Sequence, residues 1–396
     1  MNRGDWATTC AAAVMAALAL LACKKSGASS DKAAASATAA KADPLELDAI
    51  KLDKDVVAAV KSATSCEMNS SITYKCDAYK NAMEALKKIL KSDPRAPAVF
   101  ETLAALPFNK DQKLKEIAPY FLRSTRSLYI FPKLAKRKDG VSKATANRML
   151  HTLENASDDM ASGLARPAVY AATLAAAYEP AFASIKAVRS ESAKRNAIEG
   201  LMTYGRMNVF KKVQAYAAGN NMKLRQAALD APRSMSKWSD SEAKTICPWA
   251  EPYIKDKDLG VAGSAARNMV RCKHLHDGKY IKTMLAEGKR RVQAGEWKKP
   301  FVWAYRDICF GGFFGTDKPA PGGLCDQNYA FLEWVANQKN VEPWYRGFAL
   351  DMIYYQRRDS TTYALLKKYK NSPVPEIRKT VAEDMKSLQE HYLKKK

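Results

Sequence analysis

Ala193-Lys194-Arg195-Asn196-Ala197-Ile198-Glu199-Gly200-Leu201 sets the reading of the chain. The stretch puts a small or aliphatic residue, a base, a free position, two small residues, an aliphatic and an acid in a fixed order. That order returns at 224–231, at 345–353 and at 377–385. Residues 261–269 keep only its apolar positions, and Ala165-Arg166 opens an earlier copy. The base stands at 194, 225, 346 and 378, with Ala262 in its place in the weak copy. Successive full copies are thus 31, 121 and 32 residues apart, the middle step splitting into 37 and 84 at Ala262. The step of 84 leaves room for a degenerate unit around Trp303–Arg306. Apolar residues three and four apart within each copy read as one face of a helix, and periods of about 30–45 residues mark helical repeats.

This frame resembles HEAT-type repeats, whose units are antiparallel helix pairs stacked into a solenoid, over about residues 160–396. The resemblance implies that small central residues let neighbouring helices approach, and that stacking buries a face each pair alone would expose. The last copy shows the pattern best. Ile377, Val381, Met385, Leu388 and Tyr392 fall on one stripe, Pro375 stands near its start, and Lys394-Lys395-Lys396 complement its C-terminal dipole. Upstream, Tyr79, Ala82, Met83, Leu86, Ile89 and Leu90 recur at helical spacing, and further helices are expected near 94–106, 111–122, 140–154, 164–178 and 190–204. Strand alternation is scarce, so the expected fold is all-α, an irregular α-solenoid of HEAT-like pairs. The apolar tract 167–185 is interrupted at Glu179-Pro180 and reads as two Ala-rich packed helices, not a membrane span.

The N-terminus reads differently. An apolar run from Ala7 to Ala22, with Arg3 before it, ends in Leu20-Leu21-Ala22-Cys23. Its length suits the core of a signal peptide and falls short of a transmembrane helix. These four residues resemble the lipobox of bacterial lipoproteins, which implies cleavage before Cys23 and lipid on its sulfur and amine. Attachment through several acyl chains is stable. Lys24 is not the aspartate that keeps such proteins of enteric bacteria in the inner membrane, so the resemblance points to the outer membrane. The expected organisation is a signal peptide at 1–22, a disordered Ser/Ala/Lys tether at 23–48, an N-terminal helical region at 49–160 and the repeat array at 161–396. The composition of 24–44 offers too little apolar surface to fold.

Eight cysteines include Cys10 and Cys23 of the export segment, leaving Cys66, Cys76, Cys247, Cys272, Cys309 and Cys325. An even number in an oxidising compartment suggests disulfides. Six thiols allow 15 pairings, but these form three local couples along the chain, 66 with 76, 247 with 272 and 309 with 325. Between the last two lies a Gly/Pro loop carrying Phe310, Phe313 and Phe314. These rings have no periodic face to join and are candidates for recognition, or for tucking into a nearby groove.

Net charge is +24, from 65 Lys and Arg against 41 Asp and Glu. It bears on partners and not on fold. Arg123, Arg126, Lys133, Lys136, Arg137 and Lys138 are candidate carriers of a polyanion site. Walker, GxGxxG, HExxH and GxSxG sequences are absent, and the two SxxK strings at 234 and 241 lack their companion motifs. Cys272-Lys273-His274-Leu275-His276 has no second ligand pair, so neither a metal nor a cofactor is expected. Two readings follow. In one, the array is a scaffold or adaptor for an envelope protein, with no enzymatic activity and no small-molecule substrate. In the other, a basic surface holds lipopolysaccharide, anionic lipid or nucleic acid.

Overall fold

Helix starts in this chain are fixed by short polar side chains that satisfy the first free backbone N–H groups. Asp53 accepts from Asp55 and Val56 at the head of α1 (Lys54–Ser62), and Asp111 does the same for α4 (Gln112–Arg123). Ser190, Asn221 and Asp258 cap α9 (Glu191–Gly205), α11 (Met222–Asp230) and α13 (Leu259–Arg271). Ser239 and Glu242 form a reciprocal capping box on α12 (Asp240–Ala250).

The computed structural model describes residues 45–47, 50–67, 76–91, 93–126, 128–138, 140–309, 320 and 323–393, all within one unit, Asp43–Lys396. Among the described residues every regular element is helical, so the fold is all-α. The remaining helices are α2 (Asp77–Ile89), α3 (Ala96–Ala105), α5 (Ile130–Leu134), α6 (Lys143–Glu154), α7 (Asp158–Leu174), α8 (Tyr178–Ala187), α10 (Met207–Ala217), α14 (Lys279–Gln293), α15 (Trp303–Arg306), α16 (Leu324–Ala336), α17 (Pro343–Gln356), α18 (Ser360–Lys368) and α19 (Pro375–Leu388).

Each copy of the sequence frame lies on an odd-numbered helix. In order these are α7, α9, α11, α13, α15, α17 and α19, and each packs on the next to make one continuous row. The intervening helices return the chain and pack on one or both flanking members of the row. The degenerate unit at 303–306 is the short α15, wedged between α13 and α17. Upstream, α4 and α6 both pack on α7, so packing runs without a break through position 160, and α7 itself begins at Asp158. Within the stretch read as tether, the Leu45 carbonyl accepts from Arg148 at 2.7 Å.

Small residues let the row close up. A Cβ on Gly347 would stand 3.2 Å from the Glu376 carbonyl oxygen of α19, and one on Gly263 would stand 3.0 Å from that of Pro300. Both glycines occupy the same place in the frame, two after its first residue. Buried apolar side chains form two clusters, one from positions 56 to 265 and the other from 243 to 388. The helices α12 and α13 serve both. Ile246, Ala250, Val261 and Ala265 turn to the first cluster, and Ala243, Cys247, Ala262 and Ala266 to the second.

The three cysteine couples are joined as disulfides, with Cα–Cα separations of 6.0 Å for Cys66–Cys76, 6.2 Å for Cys247–Cys272 and 5.5 Å for Cys309–Cys325. The second ties α12 to the end of α13 deep in the core. The apolar tract 167–185 is two helices, but its break is not at Glu179-Pro180. The chain turns at 175–177, where Ala176 takes a φ of 52°, and Pro180 sits in the first turn of α8, where its missing N–H is tolerated. In α19 the buried stripe is Ile377, Val381, Asp384 and Leu388, while Met385 is half-buried and Tyr392 is 37% exposed. Met385 packs against the second cluster from the edge of the core face and Tyr392 stands off it, because 3.6 residues per turn bring Asp384 onto that face. Lys394 to Lys396 lie outside the described residues.

Candidate functional site

In the copies at 193–201 and 224–231 the closing acid lies at the joint between neighbouring row helices, and there it gathers arginines. Glu199 accepts from Arg166 of α7 at 2.6 Å and from Arg195, one turn back on its own helix, at 2.9 Å. Asp230 accepts from Arg195 of α9 at 3.4 Å, from Arg233 at 3.2 Å and from Arg267 of α13 at 3.1 Å. In the weak copy at 261–269, Arg267 itself takes the acid's place. The result is a ladder of alternating charge across four helices. Along it runs an open groove of about 470 Å³ lined by the four arginines, both acids, Thr203, Tyr204 and Ser234.

Two arginines of this groove are shifted in opposite directions. Burial, then the neighbouring Arg233, lowers the pKa of Arg267, while Asp230 opposes the shift and Arg195 adds to it. Its Nε is buried with no hydrogen-bond partner. By contrast, the bond that Arg195 donates to Glu199 raises the pKa of Arg195. Further along, Arg271 lies over the Trp238 ring and donates to the carbonyls of Met235 and Arg233. Burial and Arg233 bring its pKa down to about 10.

Aromatic rings flank the ladder at both ends. Phe131 of α5 packs on Tyr170 of α7, which stacks at 3.5 Å on the exposed Tyr204 of α9. At the other end cations and rings alternate. Lys299 stands over Trp303 and Trp344, Arg306 over Trp303 and Tyr355, and Arg358 over Tyr355 and Tyr392. Trp344 is 46% exposed and stacks on Phe348. Tyrosine, tryptophan and arginine are the side chains that most often anchor protein interfaces, because each combines large contact area with directional polar groups.

Three carboxylates, two buried and one half-buried, lie on or beside the later row helices. Burial raises the pKa of Asp307 and of Asp351, and Asp384 is pushed up to about 8 by burial and then by Asp351 and Glu383. A second groove, of about 620 Å³, lies between the α3–α4 turn and α6, lined by Leu47, Phe108, Tyr120, His151 and Met160 among others. Among the described residues no three His, Cys, Asp or Glu side chains are placed to hold a metal.

The residues singled out from sequence are dispersed. Arg123 ends α4, pairs with Asp159 at 3.8 Å and lies against Gly163 of α7. Arg126 ends a 3-10 turn at Ser124–Arg126, with its side chain outside what is described. Lys133 is half-buried and donates to the Leu90 carbonyl, which makes it structural. Lys136, Arg137 and Lys138 are exposed together just after α5. Cys23, Phe310, Phe313 and Phe314 lie outside the described residues. The bridge at the root of that phenylalanine loop is placed, and the Cys309 N–H donates to Gln356 of α17 at 3.1 Å. Sequence reasoning quoted Arg195, Glu199 and Asp230 as frame positions without seeing a site in them. It missed Arg233, Arg267, Arg306, Arg358, Tyr204 and Trp344. For Arg233 the available signal was its place three residues after the frame acid Asp230, about one helical turn away; Arg267, Arg306 and Arg358 have no frame acid at that spacing.

No protein family matches this chain, and no curated protein does. Among solved structures the chain is similar to the crystal structure of an engineered protein, at 16% identity and a TM-score of 0.35, covering 84% of this chain and 88% of that one. No described helix is long and apolar enough to cross a membrane.

Proposed function

We propose that the protein is an exported, lipid-anchored scaffold whose helical row holds an acidic partner protein at the cell envelope. The observation that carries this reading is the run of arginines and exposed rings along consecutive row helices, from Arg166 and Tyr204 to Arg358 and Tyr392. A stacked helical row offers a long continuous surface suited to another protein. Arginine forks suit the carboxylates of such a partner. The lipobox-like end at Cys23 and the three disulfides, which form and persist in oxidising compartments, support an address outside the cytoplasm. The HEAT-like frame supports a binding role and offers no catalytic constellation.

The exposed trio Lys136, Arg137 and Lys138 favours a second reading, a surface for a polyanion such as lipopolysaccharide or anionic lipid. Capture of the tagged protein from detergent-solubilised envelopes, washed at rising salt, separates the two. A discrete protein that survives high salt supports the scaffold, since apolar and ring contacts persist when charge is screened. Anionic lipid or polymer released as salt rises supports the second reading. Release of the chain from membranes on Cys23→Ala tests the anchor.

A further inference from the structure

The joint between α17 and α19 differs from those between α7 and α13. In the earlier joints the frame acids are answered by arginines of neighbouring helices, Glu199 by Arg166 and Asp230 by Arg195 and Arg267. Two contacts show that α17 and α19 run side by side in the same direction. A Cβ on Gly347 would stand 3.0 Å from the Thr380 hydroxyl, and the Tyr354 hydroxyl lies 2.8 Å from that of Ser387. Both contacts join positions 33 apart in sequence. Asp351 and Asp384 share that offset, one turn beyond the first contact and one turn short of the second. The two carboxyl groups therefore face each other halfway along the joint. Asp384 is 7% exposed and its Oδ2 has no hydrogen-bond partner. Among the described residues neither Asp351 nor Asp384 is in an ion pair.

The charges around the pair do not neutralise it. On α19 itself Glu383 adds a further negative charge. From α15, Arg306 acts on Asp351, but its Nε donates to Asp307 at 3.2 Å. Glu333 of α16 and Lys368 of α18 pair with each other at 3.6 Å, and Lys367 is exposed. Past the end of α19, Lys386 pairs with Glu390, His391 is exposed and Arg358 donates to the Tyr392 hydroxyl. We propose that Asp351 and Asp384 form a proton-operated latch, in which a proton held by the pair closes α19 onto α17 and its loss frees α19 from the row. With the proton in place the pair carries one negative charge, which Arg306 favours on Asp351, and Asp384 is a neutral acid. When the proton passes to water, two carboxylates face each other where solvent screens them little, and they repel. Burial, then Asp351 and Glu383, raise the pKa of Asp384 from the ordinary 3.8 to about 8. Closure is therefore complete below the ordinary value and is lost as pH rises through about 8. Tyr392 stacks with Arg358 just past α19, so an open latch takes that ring off the row face. Only this last consequence rests on the scaffold reading.

The test is hydrogen–deuterium exchange of the detergent-solubilised full-length protein, read peptide by peptide at about pH 6 and about pH 9. Labelling times are scaled for the intrinsic dependence of exchange on pH. Beyond that dependence, exchange in α19 is expected to rise more than about tenfold, because opening is linked to the loss of one proton. The helix α9, whose Glu199 is paired with two arginines, is expected to keep its protection and serves as the internal control. Asp351→Asn and Asp384→Asn each leave at most one charge in the pair, so α19 is expected to stay protected at the higher pH in both. Burial of Asp384 alone would leave the response of Asp351→Asn intact, so that variant tests the pair and not the single group. Asp351→Ser, which removes the charge with a smaller side chain, repeats the reading should the asparagine variant misfold. Absence of the response in the parent, equal loss of protection in α9 and α19, or a response that survives removal of the Asp351 charge overturns the latch.

Discussion

Asp384 occupies a place on α19 that the helical stripe reserves for an apolar side chain. It is 7% exposed, its Oδ2 has no hydrogen-bond partner, and Asp351 and Glu383 lie near. Burial and those two acids raise its pKa to about 8 from the ordinary 3.8. The sign follows from proton binding. Between those values the folded chain holds a proton that the unfolded chain has lost, so stability is greatest below the ordinary value and falls as pH rises through about 8. Asp384→Asn keeps the shape and removes the charge. Its melting temperature is expected to exceed that of the parent by more at about pH 9 than at about pH 5. A constant difference across that window contradicts the burial argument. Lys273, buried and brought down to about 8 by desolvation against the opposing effect of Asp307, shows the same cost from the other sign of charge.

At the scale of elements, the frame residues are read by what they touch across the row. Replacing Gly347 with valine drives a branched side chain toward the Glu376 carbonyl and the Thr380 hydroxyl. A loss of about 1–3 kcal/mol is expected in denaturant unfolding. An unchanged midpoint would mean that the close approach of α17 and α19 is not needed. The Cys247–Cys272 bond spans 25 residues and ties α12 to α13 where the two core clusters meet. Replacing both cysteines with alanine is expected to cost about 3 kcal/mol, seen as a lower unfolding midpoint.

The row helices were legible because spacing and small residues record which face meets a neighbour. The frame at 193–201 and its copies fell on row helices throughout, and even the four-residue α15 was foreshadowed by a gap in the period. The break in 167–185 was misplaced because proline in a first turn looks, in sequence, like proline ending a helix. On α19 the apolar stripe marks Ile377, Val381, Met385 and Leu388, all packed in or against the second cluster, but hydrophobicity alone does not show that Asp384 shares that face. The charged ladder escaped notice for a different reason. Arg233 and Arg267 lie 34 residues apart, and only stacking brings both to Asp230. The basic run at 133–138 stands out by density alone, although Lys133 is a half-buried donor to the Leu90 carbonyl.

At the scale of the molecule, the +24 charge is not spread evenly in its effect. Many basic side chains are matched by acids one helix away, as Arg206 is by Glu242 and Arg225 by Asp256. The row from α7 to α17 carries arginines along its length, and the rings of Tyr204, Tyr355 and Trp344 give it surface that is not purely electrostatic. Such a face is suited to a protein partner more than to a diffuse anion layer. The most direct measurement places a photo-crosslinking amino acid at Tyr204, on the ladder, and separately at Met222, exposed at the far end of α11 from Asp230. In intact cells the account expects one discrete protein adduct from position 204 and none of that mass from position 222. Equal adducts at both, or adducts to lipid or polymer alone at 204, would contradict it.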